Sequence, residues 1–147
     1  MLEQIQQWQQ KLDELTQEFK ERFSDLPADE LNRKPNAQTW SIAENMQHLI
    51  AVNESYFPIL EQLKGGKYKL PFMARLSFFV NFMGNTILKS VEPGRRKKMR
   101  TFPIWEPVAA AIEADIVGVF AKHQSQLKKA ITGAEELLQK KTVISSP

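Results

Sequence analysis

The chain has 147 residues, of which 42% are hydrophobic and 25% are charged. These proportions are typical of a globular domain, so they argue against a disordered chain and a membrane protein, and the length suits one domain with one core. The absence of cysteine excludes disulfides, thiolate zinc sites, iron–sulfur clusters and a cysteine nucleophile. Together with a polar N-terminus that lacks the apolar region of a secretory signal, it predicts a cytoplasmic protein.

The first predicted element is an amphipathic helix from Leu2 to Phe23. Its apolar residues recur every three or four positions, which is the period of one helix face; they are Leu2, Ile5, Trp8, Leu12, Leu15, Phe19 and Phe23. The polar residues that follow, up to Asn36, are predicted to form a connection, because they include Pro27 and Pro35.

A second helix is predicted to begin after Ser41. Ser41 and Glu44 have the spacing of a capping box, in which each side chain binds a free amide of the first turn. The apolar stripe behind them continues to Leu63 and is interrupted by Pro58, which is expected to remove one backbone hydrogen bond and bend the helix. Gly65 and Gly66 then predict the end of the helix.

The most apolar stretch lies between Leu70 and Leu88, and it predicts a helix over residues 72–88. Pro71, Arg75 and Gly84 interrupt it, so it falls short of the roughly 18 apolar residues that a membrane span requires. We therefore predict a buried or interfacial helix and no transmembrane segment.

Residues 89–100 form a basic loop, with a local net charge of +5 in a chain whose total is +3. One interpretation is a solvated loop that keeps the protein soluble. The other is a weak contact of residues 95–100 with an anionic surface, either lipid headgroups or a nucleic-acid backbone. No recognition motif accompanies the cluster, so no specific nucleic-acid partner is predicted.

The last long element is predicted to follow an extended linker over Thr101–Pro107. Pro107 is suited to the first turn of a helix, and an apolar stripe from Ile112 to Leu138 predicts a helix of about thirty residues, about 45 Å long.

No segment shows the alternation of a β-strand. The sequence therefore predicts a single all-α domain over residues 1–147. Its three long amphipathic helices need a fourth partner, so either the 72–88 helix closes the bundle or a fourth long helix is missing.

Several short motifs resemble the DinB-like superfamily of helical metalloproteins. The most specific is the second-helix entry, Trp40-Ser41-Ile42-Ala43-Glu44 followed by His48-Leu49; the others are Leu26–Leu31, Pro35 and Arg100-Thr101-Phe102-Pro103. The resemblance covers about residues 5–147. It implies an up-down-down-up four-helix bundle.

The resemblance also implies a divalent metal, often zinc or nickel, held by one histidine from the second helix and two from the fourth. Only His48 matches these ligands, and the fourth helix would begin after Pro147. The reaction class that the resemblance implies is thiol transfer or hydrolysis, acting on a small thiol or electrophile.

The chain has two histidines, His48 and His123. The spacing of His48 places it on the flank of the second helix's apolar stripe, as either a partly exposed residue without a ligand role or a metal ligand. His123 falls in the centre of its stripe, which predicts a buried neutral ring with one hydrogen bond. The alternative is a ligand beside His48, with Asp115 or Glu44 as the carboxylate.

No residue is identified as catalytic, because the chain has no Gly-rich phosphate loop and no nucleophile elbow. Two functions therefore remain open. The first is a metal-dependent thiol transferase or hydrolase. The second is a metal-free helical module that acts through self-association, as a homodimer, or through partner binding.

Overall fold

The computed structural model describes residues 2–70, 77–90, 101–108, 112, 115–140 and 142–144. The described elements are α1 (Leu2–Phe23), α2 (Ala28–Asn32), α3 (Ile42–Lys64), α4 (Ser77–Ser90), a 3-10 turn (Pro103–Trp105), α5 (Ile116–Thr132) and α6 (Glu135–Gln139). None of the described residues is in a β-strand, which confirms the all-α prediction. Of the described helices, none has both the length and the apolar character needed to cross a membrane.

The bounds of α1 and α3 agree with the sequence predictions. α3 follows a complete capping box: Ser41 Oγ accepts from the Glu44 amide at 3.1 Å, and the Glu44 carboxylate accepts from the Ser41 amide at 2.8 Å. The helix continues through Pro58 and ends at Lys64. Gly66 has a φ of 64°, a conformation that costs glycine little and explains why the helix stops here.

Two predicted connections contain short helical turns. Residues 28–32 form α2, whose Leu31 is buried in the core. The segment predicted as an extended linker contains the 3-10 turn, in which the Glu106 amide donates to the Pro103 carbonyl. Both turns are too short to show a helical repeat in the sequence, which is why periodicity missed them.

The prediction of one thirty-residue helix opening at Pro107 was wrong. α5 begins at Ile116, after Asp115, whose carboxylate accepts from the Gly118 amide at 3.1 Å. Ile112 lies outside any helix, and its amide donates to the Asn32 side chain at 3.0 Å. At the other end α5 stops at Thr132, about 26 Å from its start, and α6 follows after Gly133.

Contacts between side chains show how the three long helices are oriented. Gln9 binds Thr132, Asp13 pairs with Lys128, and Phe19 packs on Phe120, so α1 and α5 are antiparallel. His123 lies beside Glu54 and Phe57, while Gly133 lies beside Lys64, so α3 and α5 are parallel. This up-down-down order is the one that the resemblance implies for the first three helices of its bundle.

The hydrophobic core lies where α5 packs between α1 and α3, with α2 closing one end. Its buried members are Leu31, Ala43, Met46, Ile116, Val117 and Phe120. The Phe120 ring stacks on Phe19 from α1, with ring centroids 4.7 Å apart. Phe120 therefore connects α1 to the other helices, because it contacts Phe19 of α1 and belongs to the buried cluster that includes residues of α2 and α3.

The predicted 72–88 helix exists as α4, but its described apolar side chains do not cover the core. Phe78, Phe82 and Leu88 are 72%, 67% and 64% exposed. Within the described residues, α4 therefore does not take the place of a fourth buried helix. Residues 71–76 and the basic residues 95–100 lie outside the described part of the chain.

Replacing Phe120 with alanine tests the central position of this side chain. We expect Phe120→Ala to lower the free energy of unfolding by about 3–5 kcal/mol, because it removes a buried ring and leaves a cavity. Val119→Ala is the matched control, since Val119 is the neighbouring residue and is exposed. Urea unfolding followed by circular dichroism measures both changes. Equal losses in the two variants would contradict this account of the core.

Candidate metal-ligand site on α3

The candidate site is built on the first half of α3, which is fixed at its start. The Glu44 carboxylate is buried and bonds the Ser41 amide and, at 2.7 Å, Lys34 Nζ. Burial by itself raises the pKa of Glu44, but the bonds from Lys34 and Ser41 outweigh it and hold the pKa below its usual value. The charged carboxylate thus serves as a cap, and Glu44 is engaged with Ser41 and Lys34.

His48 lies one turn beyond the cap, half-buried between two tryptophans. Its Nδ1 is 2.7 Å from the Trp105 carbonyl oxygen. On the other side the Trp40 ring lies 4.9 Å from the imidazole, centroid to centroid, at an angle of 48°. The ring is therefore held in one orientation by a hydrogen bond and an aromatic contact.

The segment that carries Trp105 is attached to α3 by two further hydrogen bonds. The Trp105 indole N–H donates to Ser55 Oγ at 3.1 Å, and the Val108 amide donates to Gln47 Oε1 at 2.9 Å. With the bond to His48, three polar side chains on α3 bind this segment. The Trp105 carbonyl, at the end of the 3-10 turn, is positioned on α3 by these contacts.

The bond to Trp105 determines which nitrogen of His48 carries the proton. A carbonyl oxygen only accepts, so Nδ1 must donate, and in the neutral ring the lone pair is then on Nε2. Histidines that bind metals use the same arrangement, since a carbonyl that accepts from one ring nitrogen fixes the tautomer and leaves the other nitrogen free to face the ion. No described residue forms a hydrogen bond with Nε2 of His48.

The described residues provide one histidine with this arrangement, His48, and no complete group of metal ligands. Among them, no group of three or more His, Asp or Glu side chains is placed to hold an ion. Asp115, named from the sequence as a possible carboxylate ligand, caps α5, and Glu44 caps α3. The structure therefore gives neither carboxylate a place beside a metal.

His123 lies farther along the bundle, in surroundings of a different kind. Its ring is 3% exposed and stacks on Phe57, with centroids 5.7 Å apart. Nδ1 is 3.9 Å from Glu54 Oε1, too far for a hydrogen bond. The predicted burial is confirmed, whereas the predicted single hydrogen bond is absent, since neither ring nitrogen has a partner among the described residues.

The sequence reasoning missed the role of Trp105. This residue lies 57 positions after His48 in the chain, and it uses its main-chain carbonyl, which no side-chain motif can reveal. The signal that the sequence did offer was a tryptophan in a segment without helical periodicity, which suggests a contact with another element. Buried or half-buried tryptophans usually have a partner for the indole N–H, and here that partner is Ser55.

Comparison with known proteins gives one match. A family model described as the DinB superfamily matches residues 11–142, which is most of the chain. No curated protein and no solved structure matches.

The burial of His123 predicts a pH dependence of stability. Burial lowers the pKa of His123, and the Glu54 carboxylate offsets this only in part. In the unfolded chain the ring takes up its proton near pH 6.5, whereas the folded protein resists it to lower pH. The contribution of His123 to the free energy of unfolding should thus be fully present above about pH 6.5. Below that pH it should be lost by at most about 1.4 kcal/mol per pH unit, until the pH reaches the pKa of His123 in the folded protein.

His123→Leu isolates this contribution. We expect the variant to be at least as stable as the wild type at about pH 7.5, because leucine leaves no buried nitrogen without a partner. Between about pH 6.5 and pH 5.5 it should lose less stability than the wild type. Urea unfolding at each pH measures the difference, and parallel pH profiles for the two proteins would contradict a buried neutral His123.

Proposed function

The chain belongs to the DinB superfamily, and on that premise we propose that His48 supplies one ligand, through Nε2, to a divalent metal ion, zinc or nickel. The observation that supports the proposal is the hydrogen bond from His48 Nδ1 to the Trp105 carbonyl. It fixes the tautomer that a metal requires before any ion is bound. The remaining ligands would be water, a thiol substrate, or protein groups outside the described residues.

The reaction class that we propose is thiol transfer or hydrolysis on a small thiol or electrophile, as the family resemblance implies. A bound divalent ion lowers the pKa of a coordinated water or thiol and polarises an electrophile. The contribution of the chain itself is to orient His48. Trp40 limits rotation of the His48 ring. Ser55 and Gln47 hold the segment whose Trp105 carbonyl accepts the hydrogen bond from His48.

Metal content and the tautomer of His48 are tested together. We expect protein purified without a histidine tag to take up about one zinc or nickel ion per chain when assayed by plasma emission. His48→Ala should abolish this uptake. The matched control is His123→Leu, which removes the other histidine of the chain and should keep the ion.

Nitrogen-15 NMR of the imidazole rings gives the independent measurement. Before metal is added, His48 should show the Nδ1-protonated form, and zinc should shift Nε2. Protonation at Nε2 in the neutral ring, or equal metal uptake by wild type and His48→Ala, would overturn the proposal.

A second candidate is a metal-free module that acts by self-association as a homodimer, and the exposed side chains of α4 favour it. Phe78 and Phe82 are one turn apart on the same helix face, and each is more than two-thirds exposed. Large apolar side chains grouped on a surface are typical of protein interfaces. This candidate predicts a particle of twice the 16.9 kDa chain mass in light scattering.

Substitutions on α4 test this candidate. Phe78→Ser with Phe82→Ser should convert the dimer to a monomer, because the change removes the apolar contact without touching the core. Asn81→Ser with Asn85→Ser, on the same helix, should leave the dimer intact. A monomeric wild type, or a dimer unaffected by the phenylalanine changes, would exclude α4 as the interface.

We also propose the cytoplasm as the location of this protein. The absence of cysteine in 147 residues supports it, since reducing compartments do not favour disulfide-stabilised proteins.

A further inference from the structure

A groove lies between the second half of α3 and the parallel α5, away from His48. Its volume is about 640 Å³, within the range of sites that take small molecules. The apolar part of its lining is Phe57, Pro58, Leu60 and Ala130. Its polar part is Glu54 at one end, Gln126, and, toward the ends of the two helices, Glu61, Lys64 and Lys129. Glu61 is paired with Lys64 at 3.1 Å.

His123 lies directly beside this groove and has polar atoms without partners. Phe57, which lines the groove, stacks on the His123 ring, and Glu54, which also lines it, is 3.9 Å from Nδ1. Buried polar atoms are nearly always hydrogen-bonded, since an unpaired one is costly. Both ring nitrogens of His123 lack a partner among the described residues. His123 does not itself line the groove, but a molecule bound to Glu54 would lie beside its ring.

Pro58 removes one main-chain hydrogen-bond donor at the same place. In a regular helix the carbonyl of Glu54 would accept from the amide of residue 58, and proline has no N–H to donate. The Glu54 end of the groove thus combines a carboxylate, a main-chain carbonyl without its helical partner, and a buried imidazole. The carboxylate and the carbonyl accept hydrogen bonds, and the neutral imidazole beside them accepts at one ring nitrogen and donates from the other.

These acceptors select a ligand that is rich in donors. A primary ammonium has three N–H donors and a positive charge, which matches a carboxylate beside a neutral imidazole. The adjoining surface of Phe57, Pro58 and Leu60 suits an apolar or aromatic body attached to that ammonium. We propose that the α3–α5 groove binds small organic amines, with the ammonium on the Glu54 carboxylate beside the His123 ring and the apolar body on Phe57 and Leu60.

This site is independent of the proposed metal ligand. Glu54 is six residues beyond His48, about 9 Å farther along α3. The two sites have no described contact residue in common. Amine binding can therefore succeed or fail whether or not His48 binds a metal.

The test is an NMR titration with phenethylamine as the probe. We expect it to shift the His123 ring resonances in a saturable manner, with an affinity of about 1 mM or tighter for so small a ligand. Phenylethanol has the same shape without the charge, and phenylacetate carries the opposite charge. Both should bind at least about tenfold more weakly, since each lacks the charged donor.

Two variants of exposed groove residues test which charged end of the groove binds the probe. Glu54→Gln should weaken phenethylamine binding about tenfold or more, because it removes the charged acceptor. Lys129→Gln, at the other part of the groove, should not weaken it. Circular dichroism establishes that both variants are folded. His123→Leu, compared at equal helicity, should also weaken the binding.

Three results would overturn the proposal. The first is equal binding of the three probes, which would indicate a merely apolar groove. The second is an unchanged affinity in Glu54→Gln. The third is the absence of any shift at His123 when phenethylamine is raised to about ten times the expected dissociation constant.

Discussion

The parallel arrangement of α3 and α5 is the constraint on which the rest of the structure depends. Two parallel helices cannot be joined by a short turn, so the chain must return along the bundle between Lys64 and Ile116. That return brings residues 101–108 back across α3. The contact between the Trp105 carbonyl and His48 is thus a consequence of helix direction.

Polar side chains of α2 and α3 bind this returning segment at three residues. Gln47 and Ser55 on α3 bind Val108 and Trp105, and Asn32 on α2 bonds both main-chain groups of Ile112. A segment with little regular structure leaves its amides and carbonyls without helical partners, and these side chains supply them. The bonds from Asn32 hold Ile112 in place ahead of α5, which begins at Ile116.

Local signals in the sequence were enough to locate most of α1 and α3. Apolar residues at every third or fourth position gave the helices, and the Ser41–Glu44 box and Gly65-Gly66 gave the ends of α3, because each of these signals acts within a few residues. The start of α5 could not be found in this way. Its stripe continues back to Ile112, and only the contact with Asn32, 80 positions earlier, shows that the helix has not begun.

For the two histidines, too, the local sequence pattern predicted burial but not the hydrogen-bond partners. Spacing indicated that His48 flanks a stripe and that His123 lies in the centre of one, and the exposure of the two rings agrees. The Trp105 partner of His48 comes from a distant segment, so the pattern of α3 alone cannot reveal it. The missing partner of His123 is equally hidden, because periodicity predicts burial but says nothing about hydrogen bonds.

α3 carries both proposed sites, and its two halves differ in a way that suits each. The first half begins with a capping box and is bound by the returning segment, so His48 is held rigidly, as a ligand that must meet an ion at a fixed distance requires. The second half contains Pro58, which interrupts the main-chain hydrogen bonding beside Glu54 and the unpaired His123. Unsatisfied acceptors reduce the stability of a folded chain, but they are also the groups that an incoming donor binds most favourably. An ammonium bound at Glu54, as proposed, would therefore supply a donor where the helix has lost one.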